Sequence, residues 1–232
     1  MMKLSWKDSS TINKYRLTNK TFDNIYWKAV TYAVAVNEVN AKSGTIVACP
    51  TAGSCGILPG VLKAYNELKK TKEDKILESL MIAGFFGMIL FDDVSTAWAD
   101  YGCQAEVGAA AWMAAAALVY LEWWNVEQMV EWFIIAIKNC LWLVCDPVAG
   151  LVEVPCIKRN WLYSSHAISA ALMALSGVKS FVSPDEVVLT MREIWARLNI
   201  DYKETSKWWL AKTRDWKWVE KRFEEEVNKF FG

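Results

Sequence analysis

The sequence predicts an all-α fold, a single helical domain with at most short extended segments. Apolar residues recur every three to four positions through most of the chain, which is the spacing of a helix that buries one face. Residues 45–47 and 151–154 look extended, but neither segment has a hairpin partner in the sequence. The 232 residues, 54% of them hydrophobic, are enough to enclose one sizeable core.

The first predicted helix covers residues 21–39, where Ile25, Ala29 and Ala33 begin an apolar stripe. A loop of small residues follows at 51–58.

Pro59 comes directly after that loop, and its fixed φ angle suits the first turn of a helix. This second helix is predicted to run to about residue 70. Because the free amides at a helix N-terminus attract anions, we expect the loop to be a candidate anion site.

Further helices are predicted at about 73–91, 104–121, 126–139, 161–176 and 184–198. Two starts resemble capping boxes, one formed by Asn125 and Gln128 and the other by Ser183 and Glu186.

Three parts of the chain are predicted: a lead-in at 1–20, the helical domain at 21–213, and an amphipathic helix at 214–232. The last part alternates aromatic residues with Lys, Arg and Glu, which is typical of a helix on the protein surface.

Charge and composition exclude several functional classes. The 26 basic and 26 acidic residues cancel, so nothing indicates a nucleic-acid partner. The longest apolar runs, 80–91 and 108–121, are shorter than the roughly 20 residues that span a bilayer, so we expect buried helices and no membrane span. Six cysteines are too few for a disulfide scaffold, which favours a reducing, cytoplasmic setting.

Three cysteines stand out: Cys103 in GCQAEVG, Cys145 in VCDPVAG and Cys156 in VPCIKRN. Three thiolates can hold a four-iron cluster by three corners and leave the fourth iron open as a Lewis acid. On residue type alone, a small buried apolar residue is the commoner use of a free cysteine, and there is no CxxC pair. Two of the three lie beside Pro or Gly in segments expected to be non-helical, which favours the ligand interpretation.

Four segments carry a family resemblance. They are AVAVNEVNA at 33–41, PTAGSCGILPG at 50–60, GCQAEVG at 102–108 and CDPVAGLVEVPCIKRN at 145–160. In this order they resemble the alpha chain of iron-sulfur L-serine dehydratase, and the resemblance extends from about residue 20 to 213.

The resemblance implies an all-helical domain that holds a [4Fe-4S] cluster and converts L-serine to pyruvate and ammonia without pyridoxal phosphate. Cys103, Cys145 and Cys156 match the three cluster ligands. The open iron would bind the serine hydroxyl and make hydroxide a workable leaving group, and loss of the α proton would give aminoacrylate, which hydrolyses. The family acts in amino-acid catabolism and gluconeogenesis.

The substrate carboxylate and ammonium also need partners. Thr51, Gly53 and Ser54 are candidates for a carboxylate clamp, with an ordinary loop and cap as the alternative. Arg159 is a candidate for a bidentate pair with the carboxylate, and Asn160 for orienting the substrate. Surface ion pairing is the commoner use of such residues, but their position three and four residues after Cys156 favours the site.

Other polar residues in the motifs are less informative. Glu38, Glu106 and Asp146 could tune the site or bind the ammonium, or could simply cap helices. Cys49, Cys55 and Cys140 match no family ligand position and are interpreted as small buried residues.

His166 is the only histidine, but it lies outside the catalytic motifs and is interpreted as structural. In the family, a serine-rich motif with a histidine in a beta chain contributes to the site, and this chain has no Ser-Ser-Ser-His-Thr. A beta partner and a hetero-oligomer are therefore expected.

Tryptophan usage departs from the family pattern, with 14 Trp and 11 Gly. Several tryptophans stand where the family has glycine or a small residue, namely Trp98, Trp123, Trp124, Trp142, Trp195, Trp208 and Trp209. Our hypothesis is that these are opal codons that the source organism reads as glycine. The alternative is a divergent, Trp-rich member, in which Trp98 and Trp142 would crowd the cluster.

Two functional interpretations remain besides the catalytic alpha subunit. One is a non-catalytic helical subunit of the same fold, and the other is a related dehydratase acting on a hydroxy amino acid such as threonine. The chain also begins later than the family's alpha part and carries an extra charged tail, which truncation, a shifted start or lineage trimming would each explain.

Overall fold

A computed structural model describes residues 7–18, 24–94, 101–122 and 125–231. Within these ranges the regular structure is helical, with nine α-helices and no strand, which confirms the all-α prediction. The helices are α1 (Asp8–Thr18), α2 (Ile25–Ala41), α3 (Ile57–Lys69), α4 (Glu73–Val94), α5 (Cys103–Leu121), α6 (Val126–Lys138), α7 (Cys156–Leu175), α8 (Pro184–Arg197) and α9 (Arg214–Phe231).

Helix α5 is the centre of the core. It packs against α3, α4, α6 and α7, and nearly every residue from Cys103 to Val119 is buried. Its many alanines let the surrounding helices approach closely on all sides. Among the described helices, α5 is also the one long and apolar enough to cross a bilayer, but 89% of its apolar stretch lies inside the protein.

Local signals placed several helix starts correctly. Asn125 and Gln128 form both hydrogen bonds of a capping box at the start of α6. At the start of α8, the Ser183 side chain accepts a hydrogen bond from the Glu186 amide at 3.3 Å. Pro59 lies in the first turn of α3, as its position after the small-residue loop predicted.

Helix α1 was not predicted, because its segment was interpreted as a lead-in. It is polar and shows no apolar stripe in the sequence. It contacts α2, and there the Ser9 hydroxyl donates to the Glu38 carboxylate at 2.6 Å. Glu38 therefore has a structural role in joining α1 to α2.

The two segments expected to be extended form no strand among the described residues. Residues 45–47 are irregular. Residues 151–154 lead from a short 3₁₀ turn, Val148–Gly150, into α7, with the Val148 amide bonded to the Val154 carbonyl at 3.0 Å. Branched residues favour strands only where a neighbouring strand is available, and here the backbone closes a turn instead.

Helix α7 begins at Cys156, five residues before the predicted start at 161. The Arg159 amide donates to the Pro155 carbonyl at 3.0 Å, so the helix starts directly after the proline. This earlier start sets Cys156 in the first turn.

Trp142 does not crowd the thiols, contrary to the expectation from the sequence. Its side chain is 58% exposed, so it lies in solvent. Its backbone, however, has φ +65°, in the left-handed region that favours glycine.

The other tryptophans at positions where the family has glycine or a small residue differ in their surroundings. Trp208 has φ −138°, which any residue adopts. Trp195 stacks on Tyr101 with ring centroids 4.4 Å apart, so the fold accommodates it. Trp98, Trp123 and Trp124 lie outside the described residues.

Candidate active site

The three predicted ligand cysteines lie at the ends of structural elements that meet in the core. Cys103 is the first residue of α5, Cys156 the first of α7, and Cys145 lies in the loop after α6. Their exposed fractions are 1%, 5% and 0% respectively. Gly102, at φ +73°, turns the chain into α5 just before Cys103, a conformation that glycine adopts without strain.

The structure brings two of these thiols, Cys103 and Cys145, together with a carboxylate, and Cys156 lies outside this group but near enough for its charge to act on Cys145. The Sγ atoms of Cys103 and Cys145 and a carboxylate oxygen of Glu106 all lie within 4.8 Å of one another. A hydrogen bond with Cys103, burial, and the charges of its neighbours, including Cys156, raise the pKa of the Cys145 thiol. Burial, followed by the charge of Cys103, raises the pKa of Cys156.

This electrostatic pattern fits a metal site. Thiolates packed this closely and shielded from water repel one another, so they ionise together only when a cation compensates their charge. Buried cysteine sulfurs are the donors that iron–sulfur clusters and other soft metals select. The three cysteines therefore fit the group that their family resemblance implies.

Arg159 lies beside the thiols, one turn into α7. Its side chain is 8% exposed, and one guanidinium nitrogen, Nη1, donates to the Val144 carbonyl at 2.7 Å. Burial opposes its charge, but the neighbouring Cys103 and Cys145 thiols raise the pKa of Arg159 above its ordinary value. A permanent positive charge therefore borders the site.

Asn160 fastens the small-residue loop to α7. Its Nδ2 donates to the Gly53 carbonyl at 2.6 Å and to the Cys156 carbonyl at 2.9 Å. Its Oδ1 accepts from the Gly56 amide at 2.9 Å. Because these bonds use both ends of the amide, we assign Asn160 to positioning the loop.

Glu106 connects the loop to the thiols. The Thr51 hydroxyl donates to Oε1 of Glu106, and Oε2 lies 4.0 Å from the Cys103 sulfur. A Cβ atom on Gly53 would lie 2.3 Å from Oε1, so only glycine allows this approach. Burial raises the pKa of Glu106 to about 7, opposed by the Thr51 hydrogen bond and reinforced by the charge of Glu204.

Thr51 and Ser54 form a small hydroxyl network within the loop. Their oxygens are 3.0 Å apart, and the Ser54 amide donates to the Thr51 hydroxyl at 3.2 Å. Because the Thr51 hydroxyl donates its hydrogen bond to Glu106, the protein fixes the orientation of this hydroxyl.

A second segment, residues 202–208, lies along residues 145–147, and we call it the C-terminal strap. The Glu204 amide donates to the Cys145 carbonyl at 2.8 Å. The Asp146 carboxylate accepts from the Ser206 amide and, at 2.7 Å, from the Trp208 amide. Asp146 therefore holds the strap in place.

Glu204 is the site residue that sequence reasoning missed. Its Oε1 lies 3.0 Å from the Cys145 sulfur, and its charge acts on Cys145, Cys156 and Glu106. It lies in the segment ETSKWWLA, 59 residues after Cys145, and no local pattern in the sequence pairs the two residues.

The single histidine and the three other cysteines lie in surroundings that fit a structural role. The His166 ring nitrogen Nε2 lies 2.8 Å from the Ala136 carbonyl, and burial lowers the pKa of the ring. Burial raises the pKa of Cys49 to about 12 and that of Cys55 to about 11, while Cys140 is 1% exposed. These thiols behave as the small apolar residues that the sequence indicated.

Comparison with known proteins identifies the family of this chain. The family model for the serine dehydratase alpha chain matches residues 3–211. A probable L-serine dehydratase alpha chain of Bacillus subtilis is 43% identical over 94% of this chain and 73% of its own length. One from Latilactobacillus sakei is 46% identical, over 82% of this chain and 91% of its own length.

A longer relative shows the same similarity over part of its length. L-serine dehydratase 1 of Escherichia coli is 41% identical over 86% of this chain, but only 44% of that protein is covered. The match over most of the chain leads to one conclusion: this chain belongs to the serine dehydratase alpha chain family.

Proposed function

We propose that this chain is the alpha subunit of an L-serine dehydratase, which deaminates L-serine to pyruvate and ammonia. The observation that carries the proposal is the proximity of buried Cys103 and Cys145, with buried Cys156 and Arg159 near enough for their charges to interact with these thiols. The three cysteines would hold a [4Fe-4S] cluster, and no pyridoxal phosphate is required.

The cluster, when bound, supplies an open iron that acts as a Lewis acid toward the substrate hydroxyl. The protein's own residues bind and orient the rest of the substrate. Arg159 and the 51–54 loop suit the carboxylate, because a buried guanidinium and a loop of hydroxyl groups ahead of a helix N-terminus both favour an anion. Thr51, Gly53 and Ser54 thus remain the proposed clamp, with Asn160 holding the loop that carries them.

Glu106 contributes to this clamp by accepting a hydrogen bond from the Thr51 hydroxyl. It thereby fixes the loop hydroxyls in one orientation, so that the loop requires little reorganisation when the substrate arrives.

We further propose a beta chain as partner in a cytoplasmic hetero-oligomer. The α proton must go to a base, and the chain's single histidine, His166, is bonded to the Ala136 carbonyl in the core. That environment supports a base supplied by the partner. The greater length of the E. coli relative agrees with a second functional part.

The test is pyruvate formation from L-serine by the anaerobically prepared chain together with a serine dehydratase beta chain. Wild type and Cys49→Ser should be active, whereas Cys103→Ser, Cys145→Ser and Cys156→Ser should lose activity and brown colour. Cys49 is the matched control, because it is a thiol outside the site. Equal activity in all five proteins would contradict the proposed ligand set.

Two alternatives have distinct results in the same assay. A colourless wild-type protein that forms no pyruvate would indicate a non-catalytic subunit. A higher kcat/KM for threonine than for serine would indicate a related hydroxy-amino-acid dehydratase. One methyl group changes such ratios by only about 10- to 200-fold, so both substrates must be measured.

A further inference from the structure

Helix α4 is apolar on every side, although one of its faces lies at the protein surface. Residues 80–91 contain no charged or polar side chain. The inner face packs on the core, where Ala83 is buried and the Phe86 ring lies 4.8 Å from the Trp132 ring. A helix that is apolar all round is normally buried all round, so the outer face of α4 indicates a partner.

The outer face presents six large apolar residues that are between 40% and 75% exposed. We call them the α4 stripe; they are Leu77, Leu80, Met81, Phe85, Met88 and Ile89. At about 200 Å² for a fully exposed large side chain, the stripe offers roughly 650 Å² of surface. The largest apolar patch on a typical monomer is about 300 to 600 Å², so the stripe has the size of an interaction site.

The area of the stripe suits a second copy of this chain. Two copies that face each other through it would bury roughly 1,300 Å², and specific, stable interfaces bury about 1,200 to 2,000 Å². Homodimer interfaces are also more apolar than those of transient complexes, which agrees with a stripe that carries no charge.

The stripe is also complementary to itself in shape. Leu77, Met81, Gly84 and Met88 follow one another at intervals of four, three and four residues, which is the seam spacing of paired helices. A Cβ atom on Gly84 would meet nothing within 4 Å, so the seam has a gap there. Antiparallel pairing about a two-fold axis between Met81 and Gly84 would set Met81 of each copy over Gly84 of the other, and Leu77 opposite Met88.

The stripe lies at a distance from the thiols. Gly87 of α4 lies beside the Met113 side chain of α5, and the Tyr120 hydroxyl donates to Glu78. Met113 and Tyr120 come 10 and 17 residues after Cys103 in α5, which is about 15 and 25 Å along the helix axis. A beta chain that supplies a base to the thiols therefore need not cover the stripe, and a second copy on the stripe would not obstruct it.

We infer that the α4 stripe is a dimer interface, in which two copies of this chain pair antiparallel along α4. The proposed hetero-oligomer then contains two alpha chains joined by this contact. The inference depends on neither the cluster nor the substrate, so its outcome is separate from that of the proposed function.

The test is the oligomeric state of the full chain, measured by sedimentation velocity after anaerobic reconstitution. Wild type is compared with Leu77→Glu, Met88→Lys and the control Leu189→Glu. Leu189 lies on α8 and is 53% exposed, which matches the 52% of Leu77. We expect wild type and the control to be dimers, and each stripe variant to dimerise about 100-fold more weakly, because the two-fold axis buries its unpaired charge twice.

Mixing the two stripe variants tests the pairing itself. In the antiparallel arrangement, Glu at position 77 of one copy faces Lys at position 88 of the other. The mixture should therefore form a dimer at least about 10-fold more tightly than either variant alone, because the two charges compensate each other. A mixture that stays monomeric would overturn the antiparallel pairing.

Three other results would also overturn the inference. They are a monomeric wild type, stripe variants that dimerise like wild type, and stripe variants that lose only their binding to a serine dehydratase beta chain. All variants should keep the brown colour and circular dichroism spectrum of wild type, because the stripe is remote from the thiols. If a charged variant unfolds, Met81→Ala decides the question, since it adds no charge and should weaken dimerisation about 10-fold by leaving the gap at Gly84 unfilled.

Discussion

The backbone at Trp142 makes a quantitative prediction about which residue this position suits. Its φ of +65° is left-handed, its amide donates to the Gln104 side chain at 3.1 Å, and its side chain is 58% exposed. A residue with a Cβ pays about 1 to 2 kcal/mol in this conformation. Glycine avoids that cost but loses about 0.5 to 1 kcal/mol of chain entropy.

Comparing Gly with Ala at the same position isolates the backbone effect, because both variants remove the indole ring. We expect Trp142→Gly to be more stable than Trp142→Ala by about 0.5 to 1 kcal/mol. Trp161 is the control, since it is 42% exposed and lies within α7. There Ala should be more stable than Gly by about 1 kcal/mol.

Thermal unfolding monitored by circular dichroism measures both pairs. For a chain of this size, 1 kcal/mol corresponds to roughly 2 to 4 °C in Tm. Ala more stable than Gly at both positions would refute the reasoning about residue 142. Peptide mass spectrometry of the native protein tests the hypothesis that opal codons are read as glycine. We expect glycine at positions 142, 208 and 209, and tryptophan at these positions would contradict the hypothesis.

Two further predictions concern Glu106 and its contact with the loop. Gly53→Ala would place a Cβ atom 2.3 Å from Glu106 Oε1 and should reduce serine turnover by 10-fold or more, about 1.4 kcal/mol or more. Gly84→Ala, where a Cβ meets nothing within 4 Å, should leave turnover unchanged, and equal effects would contradict the close-approach argument. For the metal-free chain, burial raises the pKa of Glu106 from 4.5 to about 7, so the folded state binds the proton more tightly than the unfolded chain. The contribution of Glu106 to stability is therefore fully present below about pH 4.5 and should decrease by up to about 3 kcal/mol as the pH rises through 7. Urea unfolding across this range should show that Glu106→Gln lacks this part of the pH dependence, and parallel curves for both proteins would exclude it.

Local patterns in the sequence were sufficient for most of the fold. Helix α8 was found because Ser183 and Pro184 mark its start, and α6 because Asn125 and Gln128 cap it. Helix α1 was missed, since a polar helix held by side-chain bonds such as Ser9 to Glu38 leaves no apolar stripe.

The arrangement of the site depends on contacts between distant parts of the chain, which the spacing of apolar residues in the sequence does not indicate. The three cysteines were identified through their motifs, but their proximity depends on how the starts of α5 and α7 meet the loop after α6. The side chain of Glu204 contacts Cys145, 59 residues earlier in the chain. Its amide and those of Ser206 and Trp208 bond to Cys145 and Asp146, and nothing near position 204 in the sequence indicates that pairing.

Two residues have hydrogen-bond partners that the sequence did not indicate. Asn160 was expected to orient substrate, but its amide holds Gly53 and Gly56. Asp146 was a candidate for the ammonium, but it holds the C-terminal strap. In both cases the residue type is compatible with a structural role and with a substrate role, and the structure shows the hydrogen bonds of the first.

Iron and acid-labile sulfide content per chain, measured after anaerobic reconstitution, tests the central claim most directly. Wild type should contain iron and sulfide in equal amounts, and Cys145→Ser should lose most of both. Zinc without sulfide in wild type, or the same iron and sulfide in Cys145→Ser, would contradict a cluster held by Cys103, Cys145 and Cys156.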